Sequence, residues 1–181
     1  MYEVELKLRA DHDALQARLS EAGAERIDSR RQIDTYYDAP HRSFAETDEA
    51  LRIRREEPVD GESVTKLTYK GPLVETASKT REEHETAVDD DEALQGVLAG
   101  LGFEPAATVE KDRTYYSFER HTLVLDTVDG LGEFVEIERE VPESEIDTAR
   151  EEAIALLERL GLDPDEQLRT SYLGLLLAND D

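Results

Sequence analysis

The sequence predicts an α+β domain built on an antiparallel sheet that closes on itself and keeps a polar face inside. Its first nine residues alternate without a break between charged and apolar side chains, and a period of two is that of a β-strand. At least five later segments alternate in the same way. The strands fall into two groups, each followed by a helix, and this order favours an antiparallel sheet over parallel β-α-β units.

Predicted strands follow these alternating segments, and turn residues separate them. The turns at residues 58–61 and 129–132 contain glycine together with proline or aspartate, which tight turns prefer. Gly71 and Pro72 are expected to end the fourth strand. The predicted strands cover residues 1–9, 32–38, 50–57, 63–70, 79–88, 107–118, 122–126 and 133–140.

Helices are predicted where apolar residues recur at helical spacing, over residues 11–22, 91–101 and 143–160. Asp163 and Pro164 are expected to open a last helix that includes the apolar run at 172–177. Residues 41–48 are predicted to form a loop or a short helical turn. The whole of 1–178 is expected to be one domain, and 179–181 a frayed tail.

The charge is strongly acidic, with 45 acidic and 21 basic residues and a net charge of −24. Such a chain is repelled by nucleic acid and by anionic membranes. High charge is also typical of disorder, but apolar periodicity persists almost to the end of the chain. We therefore interpret the acidity as that of a folded protein from a high-salt cytoplasm, where screening weakens self-repulsion.

Several classes of chemistry are excluded by composition. The chain has no cysteine, which excludes disulfides, zinc–thiolate sites and thiol catalysis. It contains neither a Walker A loop nor a Gly-x-Gly-x-x-Gly motif. No run of 18 apolar residues occurs and the first residues form a charged strand, so we expect a cytoplasmic protein without a membrane-spanning segment or a signal peptide.

The charged faces of the predicted strands carry two groups of side chains, one basic and one acidic. A group of basic residues indicates a polyanionic ligand, because arginine and lysine are the usual phosphate-binding side chains. A neighbouring group of carboxylates indicates Mg²⁺ or Mn²⁺. The in-phase acids are Glu3, Glu5, Asp126, Glu136 and Glu138, with Glu83 and Glu85 as further members, and the in-phase bases are Lys7, Arg52, Arg54, Lys66, Lys70, Arg81, Lys111 and Arg113.

Each of these pairs alone has a simpler interpretation. A single Glu-x-Glu on a strand is typical of a solvated surface, and a single Arg-x-Arg is typical of cross-strand ion pairs. It is their occurrence together, in a chain with only five lysines, that favours a site. Carboxylates for a divalent metal beside bases for a polyphosphate are the requirements of phosphoryl transfer.

The pattern resembles the CYTH family, the triphosphate tunnel enzymes, which includes class IV adenylate cyclases, thiamine triphosphatases and inorganic triphosphatases. The family opens with Glu-x-Glu-x-Lys, as this chain does at residues 3–7. Further segments match in order along nearly the whole chain. They are Asp34-Thr-Tyr-Tyr-Asp38, Leu51-Arg-Ile-Arg54, Leu67-Thr-Tyr-Lys-Gly-Pro72, Arg81-Glu-Glu83, Lys111-Asp-Arg113, Leu125-Asp126 and Gly132-Glu-Phe-Val-Glu-Ile-Glu138.

The resemblance implies an eight-stranded antiparallel barrel with helices outside and a triphosphate site within. It implies metal ligands at Glu3, Glu5, Asp126, Glu136 and Glu138, for Mg²⁺ or Mn²⁺. It implies triphosphate contacts from Lys7, Arg52, Arg54, Lys70, Lys111 and Arg113, with Lys66 and Arg81 as helpers. Tyr36, where thiamine triphosphatases have a tyrosine near the attacking water, and Lys70 are the predicted catalytic residues.

The end of the chain is similar to the cyclase-like branch of the family. Its sequence Arg-Thr-Ser-Tyr-Leu-Gly-Leu-Leu at 169–176 matches the Ser-Tyr-Leu-x-Leu-Leu ending of that branch, except that Gly174 stands where a glutamate is common. This departure bears on whether the C-terminal helix covers the tunnel as a lid.

Three functions follow from these observations. A class IV adenylate cyclase would convert ATP to cyclic AMP and pyrophosphate. A triphosphatase would hydrolyse thiamine triphosphate or tripolyphosphate, and a non-enzymatic module would bind a polyphosphate or nucleotide without turnover. The carboxylates favour an enzyme, because anion binding alone does not need them. No nucleic-acid or membrane partner is expected, and a homodimer is compatible with the sequence.

Overall fold

The computed structural model describes residues 1–75 and 77–179, and its strands form one closed antiparallel barrel. The order around the barrel is β1-β5-β4-β3-β2-β6-β7-β8, which confirms the predicted fold. The strands are β1 (Tyr2–Arg9), β2 (Glu25–Asp38), β3 (Ala50–Pro58), β4 (Val64–Leu73), β5 (Lys79–Val88), β6 (Glu104–Phe118), β7 (His121–Val128) and β8 (Gly132–Val141).

The main apolar core lies outside the barrel, between the sheet and two helices. The helices α1 (His12–Ala22) and α4 (Ile146–Arg159) cover the outward faces of β1, β7 and β8. Leu6, Leu19 and Ile137 are completely buried there. The alternation in β1 therefore has one cause: its leucines pack under helices, so its charges must point into the barrel.

A second apolar cluster lies on the opposite wall. The helix α3 (Asp91–Gly100) places Leu98 against Tyr37 and Ile53 on the outer faces of β2 and β3. With helices on both sides, the sheet buries apolar side chains outward. The polar interior is a consequence of this packing, because successive side chains of a strand alternate between the two faces.

Several strands extend further than their sequence pattern predicts, among them β6, which begins at Glu104, and β7, which runs through Val128. β2 begins at Glu25, and its register with β6 shifts between Arg26 and Asp28. β4 runs through Gly71 and Pro72, because a register shift between Lys70 and Leu73 accommodates the proline. The expectation that these two residues end the strand is wrong, since a bulge at a strand end tolerates the missing N–H.

The C-terminal region differs most from the prediction. Asp163 and Pro164 open only a short 3₁₀ turn, and the last helix, α5 (Tyr172–Asn179), begins eight residues later. The segment between them is not helical and crosses β1, where the Leu168 N–H donates to the Lys7 carbonyl (2.7 Å). Of the predicted frayed tail at 179–181, Asn179 is the last residue of α5, and residues 180 and 181 lie outside the described residues.

Two further details complete the fold. Residues 41–48 contain the four-residue helix α2 (Phe44–Thr47), which the Asp38 carboxylate holds by accepting from the Phe44 N–H (2.9 Å). Residues 143–145 form a 3₁₀ turn before α4. None of the helices in the described part of the chain is both long and apolar enough to cross a membrane.

Candidate functional site

The interior of the barrel is a charged cavity of about 1110 Å³. All eight strands contribute to its wall, because each one turns its polar face inward. Residues of α2 and α5, among them Phe44 and Leu177, border one end. An interior this rich in charge is tolerated only if the charges are paired, hydrated or balanced by a ligand.

Three carboxylates converge on one side of this cavity, and we call Glu3, Glu5 and Glu138 the acidic cluster. One oxygen from each lies within 4.8 Å of the others. Glu5 and Glu138 face each other across the β1–β8 ladder, and Glu3 is the next inward residue of β1. Burial and the nearby Glu3 charge raise the pKa of the Glu138 carboxyl well above its usual range. Convergent oxygen ligands of this kind suit a hard divalent cation such as Mg²⁺ or Mn²⁺.

Two lysines contact the acidic cluster. The Lys70 ammonium lies 2.9 Å from Glu3, and it also lies 3.3 Å from Glu83 on β5. The Lys79 ammonium lies 3.2 Å from Glu5. Burial alone would lower the pKa of Lys70, but attraction to Glu3 and Glu83 raises it. Both lysines therefore act as counter-ions of the cluster.

The other two predicted metal ligands have different neighbours. Arg113 donates through two nitrogens to Asp126 (2.6 and 2.8 Å) and to Glu136 (3.1 Å). The Tyr172 hydroxyl also donates to Asp126 (2.7 Å). Burial opposes ionisation of Glu136, but Arg113 and Lys7 keep its pKa below the usual range. The structure thus separates these carboxylates, as partners of an arginine, from the acidic cluster.

A second aspartate–arginine pair stands on the opposite wall. Asp34 accepts from the Arg54 Nε (2.7 Å) and Nη2 (2.8 Å) and from the Lys111 ammonium (2.9 Å). Its side chain is completely buried. Burial would raise the pKa of Asp34, but Lys111 and Arg54 hold it well below the usual range. In both pairs the aspartate occupies one edge of the guanidinium and leaves Nη1 free of that contact.

Arg52 is the exception among the buried cations of the described residues. Lys7, Arg54, Lys79, Lys111 and Arg113 each have a carboxylate within 4.0 Å. Arg52 has none, and its Nε has no hydrogen-bond partner. Burial disfavours its charge, yet the field of Asp34 and Tyr36 keeps the pKa of Arg52 above its usual value. A buried arginine that stays charged and unpaired is a ready anion-binding group.

Lys7 is a buried lysine whose pKa lies well below its ordinary value. Burial, followed by repulsion from Lys79, lowers the pKa of Lys7 to about 7. Its ammonium lies 3.8 Å from Glu136 and 3.8 Å from the centre of the Tyr172 ring. The cation–π contact replaces part of the lost hydration.

Tyr36 lies between cations of the opposite wall. Burial would raise the pKa of its phenol, but the charges of Arg52 and Lys111 lower it. Lys70, the other predicted catalytic residue, is engaged by Glu3 and Glu83 instead. The structure therefore groups Tyr36 with Arg52 and Lys111, and groups Lys70 with the acidic cluster.

The side chains of the two predicted helper bases are engaged by other groups, although Arg81 is the ladder partner of Glu3. Lys66 is paired with Glu56 (2.7 Å) and with Glu85 (3.6 Å). It lies four residues along β4 from Lys70, roughly 13 Å at strand spacing. Arg81 donates to the Gly71 carbonyl (2.7 Å) and so fastens the bulge between β4 and β5.

Three residues of the site have no role in the site predicted from the sequence. Asp34 lies in phase with Tyr36 on its strand, but an isolated acid gave no sign of two cationic partners. Lys79 is the first residue of β5 and lies in phase with Arg81 on the charged face of the predicted strand, but this pattern does not indicate its pairing with Glu5. Tyr172 belongs to the Ser-Tyr-Leu ending and to the predicted apolar helix, but neither feature indicates that its hydroxyl and ring contact Asp126, Lys7 and Phe134.

A closed antiparallel barrel with acidic and basic groups facing each other inside it defines a class of tunnel proteins suited to polyanions. The comparisons with known proteins agree. The model of the CYTH domain matches residues 1–172, so the chain belongs to the CYTH domain family.

Relatives and solved structures cover nearly the whole chain. MJ0240 of Methanocaldococcus jannaschii, which is named provisionally as an adenylate cyclase, is 38% identical over 97% of this chain and 98% of its own. Adenylate cyclase CyaB of Aeromonas hydrophila is 28% identical over 96% of this chain and 88% of its own. The solved structure of PH1819 from Pyrococcus horikoshii is 40% identical, covers 98% of this chain and 99% of its own, and superposes with a TM-score of 0.91.

Proposed function

We propose that this protein is a divalent-metal-dependent enzyme of the class IV adenylate cyclase type, which converts ATP to cyclic AMP and pyrophosphate. The observation that carries the proposal is Arg52, which among the described residues is a buried cation without a carboxylate partner, in a cavity whose other buried cations are paired. A polyphosphate would supply the missing charge. The names of the two curated relatives support the cyclase assignment.

The phosphate chain would lie between the two arginine–aspartate pairs. Arg54 and Arg113 are each held rigidly through one edge, and their free Nη1 groups can donate to phosphate oxygens. Arg52 lies near Arg54 and adds a third guanidinium. Prior orientation of these groups reduces the entropy lost on binding.

The acidic cluster would hold the metal ion. Glu3, Glu5 and Glu138 supply carboxylate oxygens on one side of the cavity, and the phosphate chain would lie beside them. When bound, Mg²⁺ or Mn²⁺ would neutralise charge on the phosphate oxygens and ease loss of the proton from the attacking hydroxyl. The protein contributes by fixing the carboxylates before either ligand arrives.

The end of the cavity beside α2 and α5 suits an organic group. Phe44, Ala106, Leu173 and Leu177 contribute to its lining, and apolar side chains of this kind favour a flat base. In the reaction, the ribose 3′ oxygen would form a bond to the α-phosphorus while the bond to the β-phosphate oxygen breaks. Pyrophosphate would leave from between the arginines.

A triphosphatase is the second candidate, and Tyr36 is the observation that favours it. The phenol is half-buried near Arg52 and Lys111, whose charges lower its pKa, so it could orient a water toward the terminal phosphorus. That reaction would break the bond between the β and γ phosphates and needs no base-binding end. Binding without turnover is the third outcome.

Product analysis separates the three functions. The protein would be incubated with ATP, thiamine triphosphate or tripolyphosphate, each with Mg²⁺ or Mn²⁺ and in molar KCl, and the products identified. Cyclic AMP and pyrophosphate from ATP would support the cyclase. Orthophosphate from tripolyphosphate or thiamine triphosphate without cyclic AMP would establish the triphosphatase, and saturable binding without products would overturn both enzymes.

Lys7 is expected to take up a proton when a polyphosphate binds. Because its pKa is about 7 in the free protein, the side chain is mostly neutral at about pH 8, and a nearby anion favours the charged form. Calorimetry at that pH, in buffers of different ionisation enthalpy, would count the protons. On binding polyphosphate, the wild type should gain as much as about one proton more than Lys7→Met does. Equal counts would show that Lys7 does not titrate with the ligand.

A further inference from the structure

We propose that Lys79, together with Lys70, is an internal counter-ion of the acidic cluster that moves to the phosphate chain when a divalent cation replaces it. Binding of the metal and binding of the polyphosphate would then strengthen each other through one exchange of partners. The inference rests on the proposed function and assigns a role to Lys79 that neither the sequence pattern nor the family resemblance indicated.

The first support is the matching of ammonium groups to carboxylates. Two of the three carboxylates of the acidic cluster have a lysine within hydrogen-bond distance, Glu3 with Lys70 (2.9 Å) and Glu5 with Lys79 (3.2 Å). Both lysines are largely withdrawn from solvent, with side chains 18% and 11% exposed. These ammonium groups occupy the positions from which a divalent cation would approach Glu3 and Glu5.

The second support is the register of the sheet. β1 lies between β5 and β8, so that Glu5 is the ladder partner of both Lys79 and Glu138. Lys79 therefore reaches Glu5 from one neighbouring strand while Glu138 approaches from the other. A lysine side chain has four rotatable bonds, so its ammonium can move away while its backbone remains in the ladder.

The third support is the charge around Lys79. The Lys79 ammonium contacts Glu5 at 3.2 Å, and Lys7, the next inward residue of β1 after Glu5, places a second lysine side chain on the same wall. A divalent cation at Glu5 would remove the attraction between Glu5 and Lys79 and add repulsion. A polyphosphate in the cavity would offer Lys79 a new partner. Without a metal ion on Glu5, the charge of the Glu5 carboxylate would repel the polyphosphate.

Asp34 provides an internal contrast. Its partners Arg54 and Lys111 lie on β3 and β6, and Asp34 does not belong to the acidic cluster. We expect those contacts to persist when ligands bind. The exchange is thus confined to the lysines that touch the cluster.

Two reciprocal measurements test the exchange, each with one ligand alone. Calorimetric titration with Mn²⁺ and no phosphate should show tighter binding to Lys79→Met than to the wild type, on the order of tenfold, because the competing ammonium is gone. Titration with tripolyphosphate in EDTA should show tighter binding to Glu5→Gln, again on the order of tenfold, because Lys79 is released.

Each variant has a matched control that removes a charge of the same sign from the cavity wall at a residue that does not contact the acidic cluster. Arg30→Met deletes a cation that pairs with Glu56 and Asp28, and its Mn²⁺ affinity should stay within about twofold of the wild type. Glu85→Gln deletes an anion that pairs with Lys66, and its tripolyphosphate affinity should likewise change little. Thermal unfolding would verify that each variant is folded, and Lys79→Gln would replace Lys79→Met if the latter is not.

The outcomes distinguish this inference from the function on which it rests. If the wild type binds neither Mn²⁺ nor tripolyphosphate, the proposed function fails. If the wild type binds both, but Lys79→Met binds Mn²⁺ no more tightly than the wild type does, the exchange is overturned and the proposed function stands. Weaker Mn²⁺ binding by a folded Lys79→Met would instead show that Lys79 shapes the cluster rather than competing for it.

Discussion

Replacing Asp34 with asparagine is expected to lower the free energy of unfolding by about 3–5 kcal/mol, the usual effect of removing one partner from a buried ion pair. Asp34 is completely buried and accepts from both Arg54 and Lys111. Asparagine has nearly the same shape but no charge. The variant would leave two buried cations facing each other and Arg52 without a compensating anion.

Urea denaturation would measure this effect, with Asp112→Asn as the matched control. Asp112 also pairs with an arginine, Arg31, but its side chain is 63% exposed, so its removal should cost less than about 1 kcal/mol. Tripolyphosphate should recover part of the stability of Asp34→Asn, because it binds the native state and replaces the missing anion. A loss below about 1 kcal/mol in Asp34→Asn would contradict the central position of this carboxylate.

The pH dependence provides a second check on the same residue. The pKa of Asp34 lies well below its usual value in the folded state, so the folded state binds fewer protons there than the unfolded state. The stabilisation is therefore complete above the unfolded pKa of about 4 and is lost as the pH falls toward the folded pKa. The difference between wild type and Asp34→Asn should stay constant from about pH 6 to 8 and shrink in acid.

The closed barrel could be predicted because its cause is local. Alternation in β1 and its later counterparts fixes on which face of the sheet each side chain lies, and a chain that pairs both edges of a sheet has no unpaired strand left. The strand ends were less predictable. Pro72 breaks the local pattern, but the bulge that accommodates it depends on β5, which is a tertiary contact.

The side chains facing the tunnel could also be predicted, but their partners could not. Period two places Glu5, Asp126 and Lys79 on inward faces, whereas the choice between metal ligand, arginine partner and counter-ion depends on which strands are neighbours. Asp126 illustrates this, since Arg113 lies directly opposite it in the β6–β7 ladder. Ladder register is set by closure of the whole sheet and is absent from any single strand.

In the C-terminal region, the path of the backbone could not be predicted from the sequence. Its apolar run predicted a helix, and α5 is present, but the extended residues before it carry no periodicity. Their path is fixed by contacts with distant strands, such as the Leu168 N–H on the Lys7 carbonyl and Arg169 on the Glu75 carbonyl (2.8 Å). These contacts carry Tyr172 to the tunnel, where it packs on Phe134.

Replacing Arg52 with methionine is expected to cause a large loss of ligand binding with little change in stability, unlike Asp34→Asn, whose main effect is on stability. Arg52 has no carboxylate within 4.0 Å among the described residues, so its removal leaves no orphaned partner. The cost of burying its charge is offset by its attraction to Asp34, and we expect the free energy of unfolding to change by less than about 1 kcal/mol.

The expected loss of ligand binding has the same cause, namely that Arg52 has no carboxylate partner among the described residues. A polyphosphate in the cavity would be the direct partner of Arg52, and truncating one member of a buried charge pair costs about 2–5 kcal/mol of binding free energy. Tripolyphosphate affinity should therefore fall on the order of 100-fold or more. Arg55→Met is the matched control, because Arg55 lies on the same strand but pairs outside with Asp91, and its affinity should match that of the wild type.

Arg52→Lys would distinguish a requirement for charge from a requirement for shape. A lysine keeps the cation but replaces the planar fork with a single ammonium. If Arg52 binds two phosphate oxygens at once, Arg52→Lys should recover only a small part of the affinity lost in Arg52→Met. Full recovery would mean that the site needs only a positive charge at this position. Unchanged affinity in Arg52→Met itself would remove the observation on which the proposed function depends.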